Sequence, residues 1–293
     1  MMNKTALKSL KILNVGIDSS STSSLLRFVR SRLTSGKKFF IVTPNPEQVM
    51  RAQTDEVFKK ILNSADISIP DGVGLIAAHK FLMLPSTNSY LLRPFLYFAQ
   101  GLGVGFSILF DPKWVVSGLQ VIRGRDLFYE LIKLANKKEW KVFLLGDELQ
   151  SAQKAATELS KNFKKVKLFS GVGPNLNADG NPITPKDETR QKAVLENINK
   201  VAPHLLFVGF GAPRQEKWVY RHKEKIDYGG AMVVGGTFDY VSGEKSIPPK
   251  WISDAGLEWL WRLIIRDQKA KRVMSAFPSF PIKIYLNKLN LKK

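Results

Sequence analysis

Short apolar runs alternate with amphipathic segments along most of this chain. Ile12 to Ile17, Phe39 to Thr43, Ile67 to Ile69, Lys141 to Leu145, Lys167 to Phe169, Leu205 to Gly209 and Met232 to Gly235 read as strands, each bounded by glycine, proline or polar residues. Between them, Pro46 to Asn63 sets Val49, Ala52, Phe58, Ile61 and Leu62 on one helical stripe, and Gln150 to Lys161 is also helix-like. Strands separated by helices build a mostly parallel sheet, so the pattern predicts an α/β fold with helices on both faces.

In such Rossmann-like layered sheets, ligands gather beyond the C-terminal ends of the strands. Four predicted strands end in loops rich in glycine or small polar residues: Thr43 to Glu47, Pro70 to Gly74, Gly146-Asp147 and Gly235 to Asp239. A fifth junction, Gly209-Phe-Gly211-Ala-Pro213-Arg214-Gln215, runs from strand into helix. There, backbone N–H groups and the helix dipole favour an anion such as phosphate. Pro213 suits the first helical position. A plain tight βα turn is the competing reading of that junction.

Two segments interrupt the alternation. Pro94 to Phe110 is 17 residues without a charge, just short of the ~20 a spanning helix needs, and Gly101, Gly103 and Gly105 break it up. A buried hairpin or core insert competes there with an interfacial dip into lipid, and the reading leans to the dip. From Ser246 to Lys293 the chain carries ten Lys or Arg and three acids, interleaved with Trp251, Trp259, Trp261, Phe277, Phe280 and Tyr285. This predicts a basic, aromatic, helical appendage (246–293) that meets anionic headgroups, behind an α/β domain (1–245) carrying the apolar insert (85–114). A solvated helix packing on its own core is the alternative for the tail.

Composition narrows the chemistry. With no cysteine, thiolate metal sites, disulfides and cysteine nucleophiles are excluded. The three histidines, His79, His204 and His222, lack metal-ligand spacing, and no Asp-x-Asp pair is present to hold a divalent ion against a diphosphate. A bound diphosphate would then rest on arginine, lysine or backbone N–H groups, and no metal or cofactor is expected. A formal net charge of +20 attracts polyanions: nucleic acid, an anionic bilayer or a diphosphate substrate. The absence of any RNA- or DNA-binding signature argues against a nucleic-acid partner, although a basic nucleic-acid-binding protein is the competing class. No signal-peptide pattern occurs near Met1 to Leu10, which predicts a cytoplasmic protein.

Individual residues then become candidates. Asn45, with Pro46 next and Gln48 three residues on, is a helix-start signal, and its plain reading is a cap. Thr43 and Asn45 share the strand-end crevice with Asp71, a lone carboxylate at a constrained turn before Gly72, where acids also serve as turn formers. Arg123 can neutralise diphosphate, and Asp239, after Gly236, can accept hydrogen bonds from a ribose or base.

Taken in order, Thr43-Pro-Asn45-Pro-Glu47, Asp71-Gly72-Val-Gly74, Arg123-Gly124-Arg-Asp126-Leu127, Gly209 to Trp218, Gly235-Gly236-Thr-Phe238-Asp239 and Gly256 to Leu263 resemble the bacterial WecG/TagA/CpsF glycosyltransferases from about residue 12 to 280. The resemblance implies transfer of N-acetylmannosamine or its uronic acid from a UDP-sugar to a polyprenyl-diphosphate-linked amino sugar at the inner membrane face. A member using another donor, such as UDP-glucose, stays open, as does a homo-oligomer. It further implies Asp71 as general base, Thr43 and Asn45 orienting acceptor or donor sugar, Arg123 and Gln215 on the donor phosphate and sugar, and Asp239 on the uridine. Gly72, Gly211 and Gly236 belong to the turns of that site. Arginines of the tail would offset the departing charge: Arg262 matches the pattern, and Arg272 is the only further match where many members read Glu-Pro-x-Arg. The insert is longer here than is usual in the family.

Overall fold

The computed structural model describes residues 8–117, 122–249, 252–253, 258, 261 and 278–290. The chain opens with a hairpin, β1 (Lys8–Ile12) and β2 (Val15–Ser19), followed by α1 (Thr22–Thr34), β3 (Phe39–Val42), α2 (Pro46–Arg51), α3 (Glu56–Ser64) and β4 (Ile67–Ser68). Next come α4 (Val73–Met83), α5 (Arg93–Phe110), α6 (Pro112–Val116), α7 (Gly124–Lys138), β5 (Lys141–Gly146), α8 (Ser151–Asn162) and β6 (Lys167–Val172). The remainder holds α9 (Pro185–Val201), β7 (Leu205–Val208), α10 (Arg214–His222), β8 (Gly230–Val233), α11 (Thr237–Val241) and a helix at Ser279–Asn290.

Six strands form one parallel sheet in the order β4-β3-β8-β7-β5-β6, as the alternating pattern predicts. Apart from Lys141 at the start of β5, the central strands are apolar throughout because both faces are covered. On β5, Val142 and Leu144 enter the core beneath α1, α7, α8 and α11, while Phe143 and Leu145 enter the opposite core beneath α3, α4, α9 and α10. β7 splits the same way, with Leu205 and Phe207 on one side and Leu206 and Val208 on the other.

Three expectations need correction. Ile12 to Ile17 is not a strand of the main sheet: the chain reverses at Leu13-Asn14, both at positive φ, and β1 pairs antiparallel with β2 in a separate two-stranded sheet. That turn is held from outside, because Gln53 Nε2 donates to the Leu13 carbonyl (3.0 Å) and Asn63 Nδ2 to that of Asn14 (2.9 Å). The single helix expected over Pro46 to Asn63 is two, because Asp55 caps a fresh start by accepting from the Phe58 N–H (2.9 Å). Pro213 stands at the cap position, one residue before α10.

The insert is not a hairpin but forms an 18-residue helix, α5, that sends Tyr97 and Val104 into the core, and no helix among the described residues is long and apolar enough to cross a membrane. The Ser279–Asn290 helix packs on α2, α4 and α5 and turns Phe280 and Ile284 inward. Within that stretch the tail covers its own core.

Candidate active site

Several of the predicted loops meet at the C-terminal edge of the sheet. β5 leads outward to β6, whereas β7 leads the other way to β8, so their exit loops part at a topological switch point. On the near side, the Asp71 N–H donates to the Pro44 carbonyl (2.8 Å), which joins the β3 exit loop to the β4 exit loop. Gly74 approaches so closely that a Cβ there would lie 2.7 Å from the Pro46 ring, so the first turns of α2 and α4 touch. Thr43 in turn lies against Gly124 at the start of α7, where a Cβ would sit 3.0 Å from its methyl carbon. Thr43, Asn45, Asp71 and the Arg123-Gly124 junction are therefore neighbours, as the sequence predicts.

Local physics fixes each of these side chains. Asn45 caps α2, its Oδ1 accepting from the Gln48 N–H at 2.9 Å, with Pro46 as the first helical residue. Gly72, at φ +92°, supplies the left-handed turn that lets Asp71 close the β4 exit while the chain enters α4. Asp71 itself is half-buried. Arg123 precedes α7 and donates from Nη2 to the Ser253 carbonyl (2.5 Å), with Nη1 3.5 Å from Glu258. Arg125 also reaches Glu258, at 3.1 Å. The Arg-x-Arg pair is thus tied to the segment after residue 250.

The far side centres on Gln215. Its Oε1 accepts from the Gly211 N–H and the Gly235 N–H, both at 3.1 Å, and the side chain is almost fully buried. The Gly211 N–H, in the turn that the sequence offered to a phosphate, binds the glutamine instead, and so does the Gly235 N–H. Gln215 clasps the β7 and β8 exit turns together. Gly236 then opens α11, and Asp239 makes an ion pair with Lys245 at 3.0 Å. Asp147 at the β5 exit has its carboxyl pushed up chiefly by burial and further by Asp239, with Arg214 pulling the other way. Arg214, exposed at the first position of α10, places its Nη2 3.4 Å from where a Gly211 Cβ would stand. It is a cation at the crevice that the sequence reading quoted without giving it a role. Arg262 and Arg272 lie outside the described residues.

Glu216 was also missed, since an acid in a first helical turn reads as a surface partner of the helix dipole. It is completely buried; Oε1 accepts from Gln215 Nε2 (3.0 Å) and Oε2 has no partner. Burial pushes its carboxyl up to about 7, against lowering by Gln215 and its own backbone N–H. The folded value lies above the ordinary 4.5, so this group costs nothing below pH 4.5, where both states are protonated. As pH rises from 4.5 to 7 the unfolded chain ionises first and stability falls, and above 7 the full penalty stands. Glu216→Gln, which keeps an acceptor for Gln215, should therefore match the parent near pH 4.5 and exceed it by roughly 3 kcal/mol at pH 8. Denaturant unfolding across that range checks this, and a gain that does not change with pH contradicts it.

One broad concavity is lined by none of these loops. It is bordered by Arg51, Asp55, Asp179, Lys217, Tyr220 and Arg221. Its cations are engaged within the fold: Lys217 pairs with Asp55 (2.7 Å) and Asp179 (3.2 Å), and Arg221 donates to the Gly180 carbonyl (2.7 Å). The strand-end crevice, with its acid and its arginines, is the better seat for chemistry. No group of three or more His, Cys, Asp or Glu that could hold a metal occurs among the described residues.

The chain is 26% identical over 284 residues to an N-acetylglucosaminyldiphosphoundecaprenol N-acetyl-beta-D-mannosaminyltransferase of Staphylococcus aureus (strain NCTC 8325 / PS 47), covering 96% of this chain and 94% of that protein. It is 25% identical over 280 residues to the protein of the same name from Bacillus subtilis (strain 168), covering 95% and 92%. The family model for glycosyl transferases of the WecG/TagA/CpsF type matches residues 10–91 and 112–293, and the gap between the two matched parts contains α5. With a family model matching nearly its whole length, the chain belongs to the glycosyl transferase WecG/TagA/CpsF family.

Proposed function

We propose that this glycosyltransferase moves N-acetylmannosamine from a UDP-sugar to an N-acetylglucosamine carried on a polyprenyl diphosphate, at the inner face of the cell membrane. The observation that carries the proposal is the junction of the Thr43–Asn45 loop with the Asp71 turn, facing the exit turns of β7 and β8 across the sheet edge. The names of the two relatives support the donor sugar and the acceptor class.

In this reading Asp71 takes the proton from the acceptor hydroxyl as that oxygen attacks the anomeric carbon. The bond from that carbon to the diphosphate oxygen breaks, and UDP departs with the electron pair. Thr43 and Asn45 orient the sugars. Arg123 and Arg214, joined by Arg262 and Arg272 of the 246–293 appendage, offset the charge on the leaving diphosphate in place of a divalent ion. Gln215 acts by holding the Gly211 and Gly235 turns in register, and Asp239, beside Gly236, faces the uridine.

A thermal-shift panel tests donor class and metal dependence together. UDP and UDP-N-acetylmannosamine should raise the melting temperature equally with Mg²⁺ or EDTA, and other nucleoside diphosphates less. Stabilisation by UDP-glucose alone would reassign the donor. A shift that EDTA abolishes would overturn the arginine-based account.

A further inference from the structure

α5 is the one long helix whose outward face has no cover among the described residues. Its inner face is fixed. Tyr97 and Val104 are buried against α4 and the Ser279–Asn290 helix, and Tyr285 Oη donates to the Pro94 carbonyl at 3.1 Å. Lys288 on that helix donates from Nζ to the Phe81 carbonyl (2.6 Å) and Gln100 Oε1 (2.7 Å), and lies 4.7 Å from the centre of the Tyr97 ring. These ties stop α5 from rolling its apolar side inward.

The outer face carries Phe95, Phe98, Leu102, Phe106, Leu109 and Phe110, with Phe95 and Phe110 76% and 79% exposed. Their spacing of mostly three and four residues makes one continuous stripe. Tyr90 and Leu91, both highly exposed, extend it at the N-terminal end. Between Lys80 and Asp111 the only charged residue is Arg93. A soluble monomer rarely leaves so contiguous an apolar surface in water. Cations stand on the flanking elements: Lys80 on α4, Arg93 at the start of α5, Lys113 on α6 and Lys283 on the last helix.

We propose that the outer face of α5 is a membrane-insertion surface for a bilayer with anionic headgroups, the helix lying in the interfacial plane with its Phe and Leu side chains among the acyl chains. At 18 residues α5 is about 27 Å long, and it is not apolar enough to span. Charge decides between lipid and a second copy. Two such faces stacked together would bring the flanking cations of two +20 chains into register, whereas an anionic surface attracts them. The face also lacks the Trp and Arg anchors that specify most protein partners.

The insertion stands on this surface alone, and only its purpose rests on the proposed reaction. α4 packs on α5 and begins at the Asp71-Gly72 turn, so insertion sets that turn one helix length, about 16 Å, from the anchor. The headgroup of a lipid-borne acceptor would meet it there.

The absence of cysteine makes a clean test possible. Phe106→Cys on α5 and Glu158→Cys on α8 are each labelled with an environment-sensitive dye in the full chain. They are then mixed with phosphatidylglycerol–phosphatidylcholine vesicles. The dye at 106 should shift to the blue and be quenched by spin-labelled acyl chains, while the dye at 158 should not respond. Phe98→Ser with Phe106→Ser should weaken vesicle binding about tenfold or more. Melting temperature and transfer to a short-chain, water-soluble acceptor should be unchanged, which separates this inference from the reaction itself. A water-exposed dye at 106 in vesicle-bound protein would overturn the proposal. So would a dye at 106 already shielded without vesicles, whether by a concentration-dependent dimer or by the chain's own tail.

Discussion

Asp71→Asn should lower the turnover number for transfer by roughly 10²- to 10⁴-fold while leaving the fold and donor binding intact. The substitution keeps shape and volume and alters only the carboxylate. The main-chain bond that positions it, from the residue 71 N–H to the Pro44 carbonyl, does not involve the side chain. Gly72 still supplies the turn and α4 still starts at Val73. What is lost is the group that can accept the hydroxyl proton, so the deficit should fall on turnover and not on the KM for the UDP-sugar. Steady-state assays beside a thermal melt check this. A variant that melts early would instead make Asp71 a turn former, which is the ordinary role of an acid at such a position.

Gln215→Leu should have the second largest effect, and of a different kind. The side chain is buried and its single oxygen serves two backbone N–H groups from two different exit turns. Leucine fills similar space but leaves both donors without an acceptor, at about 1–3 kcal/mol each, and strips Glu216 of its only side-chain donor. We expect a loss of roughly 2–5 kcal/mol in the ligand-free protein, together with weaker UDP binding as the Gly211 and Gly235 turns separate. A glutamine that only touched the donor would leave the ligand-free stability unchanged. Denaturant unfolding without nucleotide distinguishes the two.

These two residues mark how far sequence reasoning reaches. The parallel sheet was legible because β5, β7 and β8 must be apolar on both faces, and the site's place followed from where such strands end. Asp71, Thr43 and Asn45 came together for that reason. Gln215 was picked out from the sequence as a candidate for the donor phosphate and sugar. One of its bonds runs to a main-chain N–H twenty residues along the chain, however, which no spacing rule encodes. Glu216 was invisible because a charge in a helix's first turn normally faces water. The Leu13-Asn14 reversal lacked a glycine to announce it and depends on Gln53, in the turn after α2, and Asn63 on α3. The same long-range cause split the expected helix, because Asp55 gains both a cap and an ion pair with Lys217 at 2.7 Å. Periodicity sees neither contact. For α5 the sequence displayed its lack of charge, but only the packing of Tyr97 and Val104 reveals which side is left to the surroundings.

The central claim is that one carboxylate at the β4 exit, served by arginines, activates the acceptor. Single-turnover mixing tests it most directly: protein preloaded with UDP-N-acetylmannosamine in EDTA is mixed with a polyprenyl-diphosphate N-acetylglucosamine, for the parent and for Asp71→Asn at equal donor occupancy. The account predicts rapid disaccharide formation by the parent and a variant that holds its donor with no product on the same timescale. Equal product from both, or a parent that waits for a divalent ion, would contradict it.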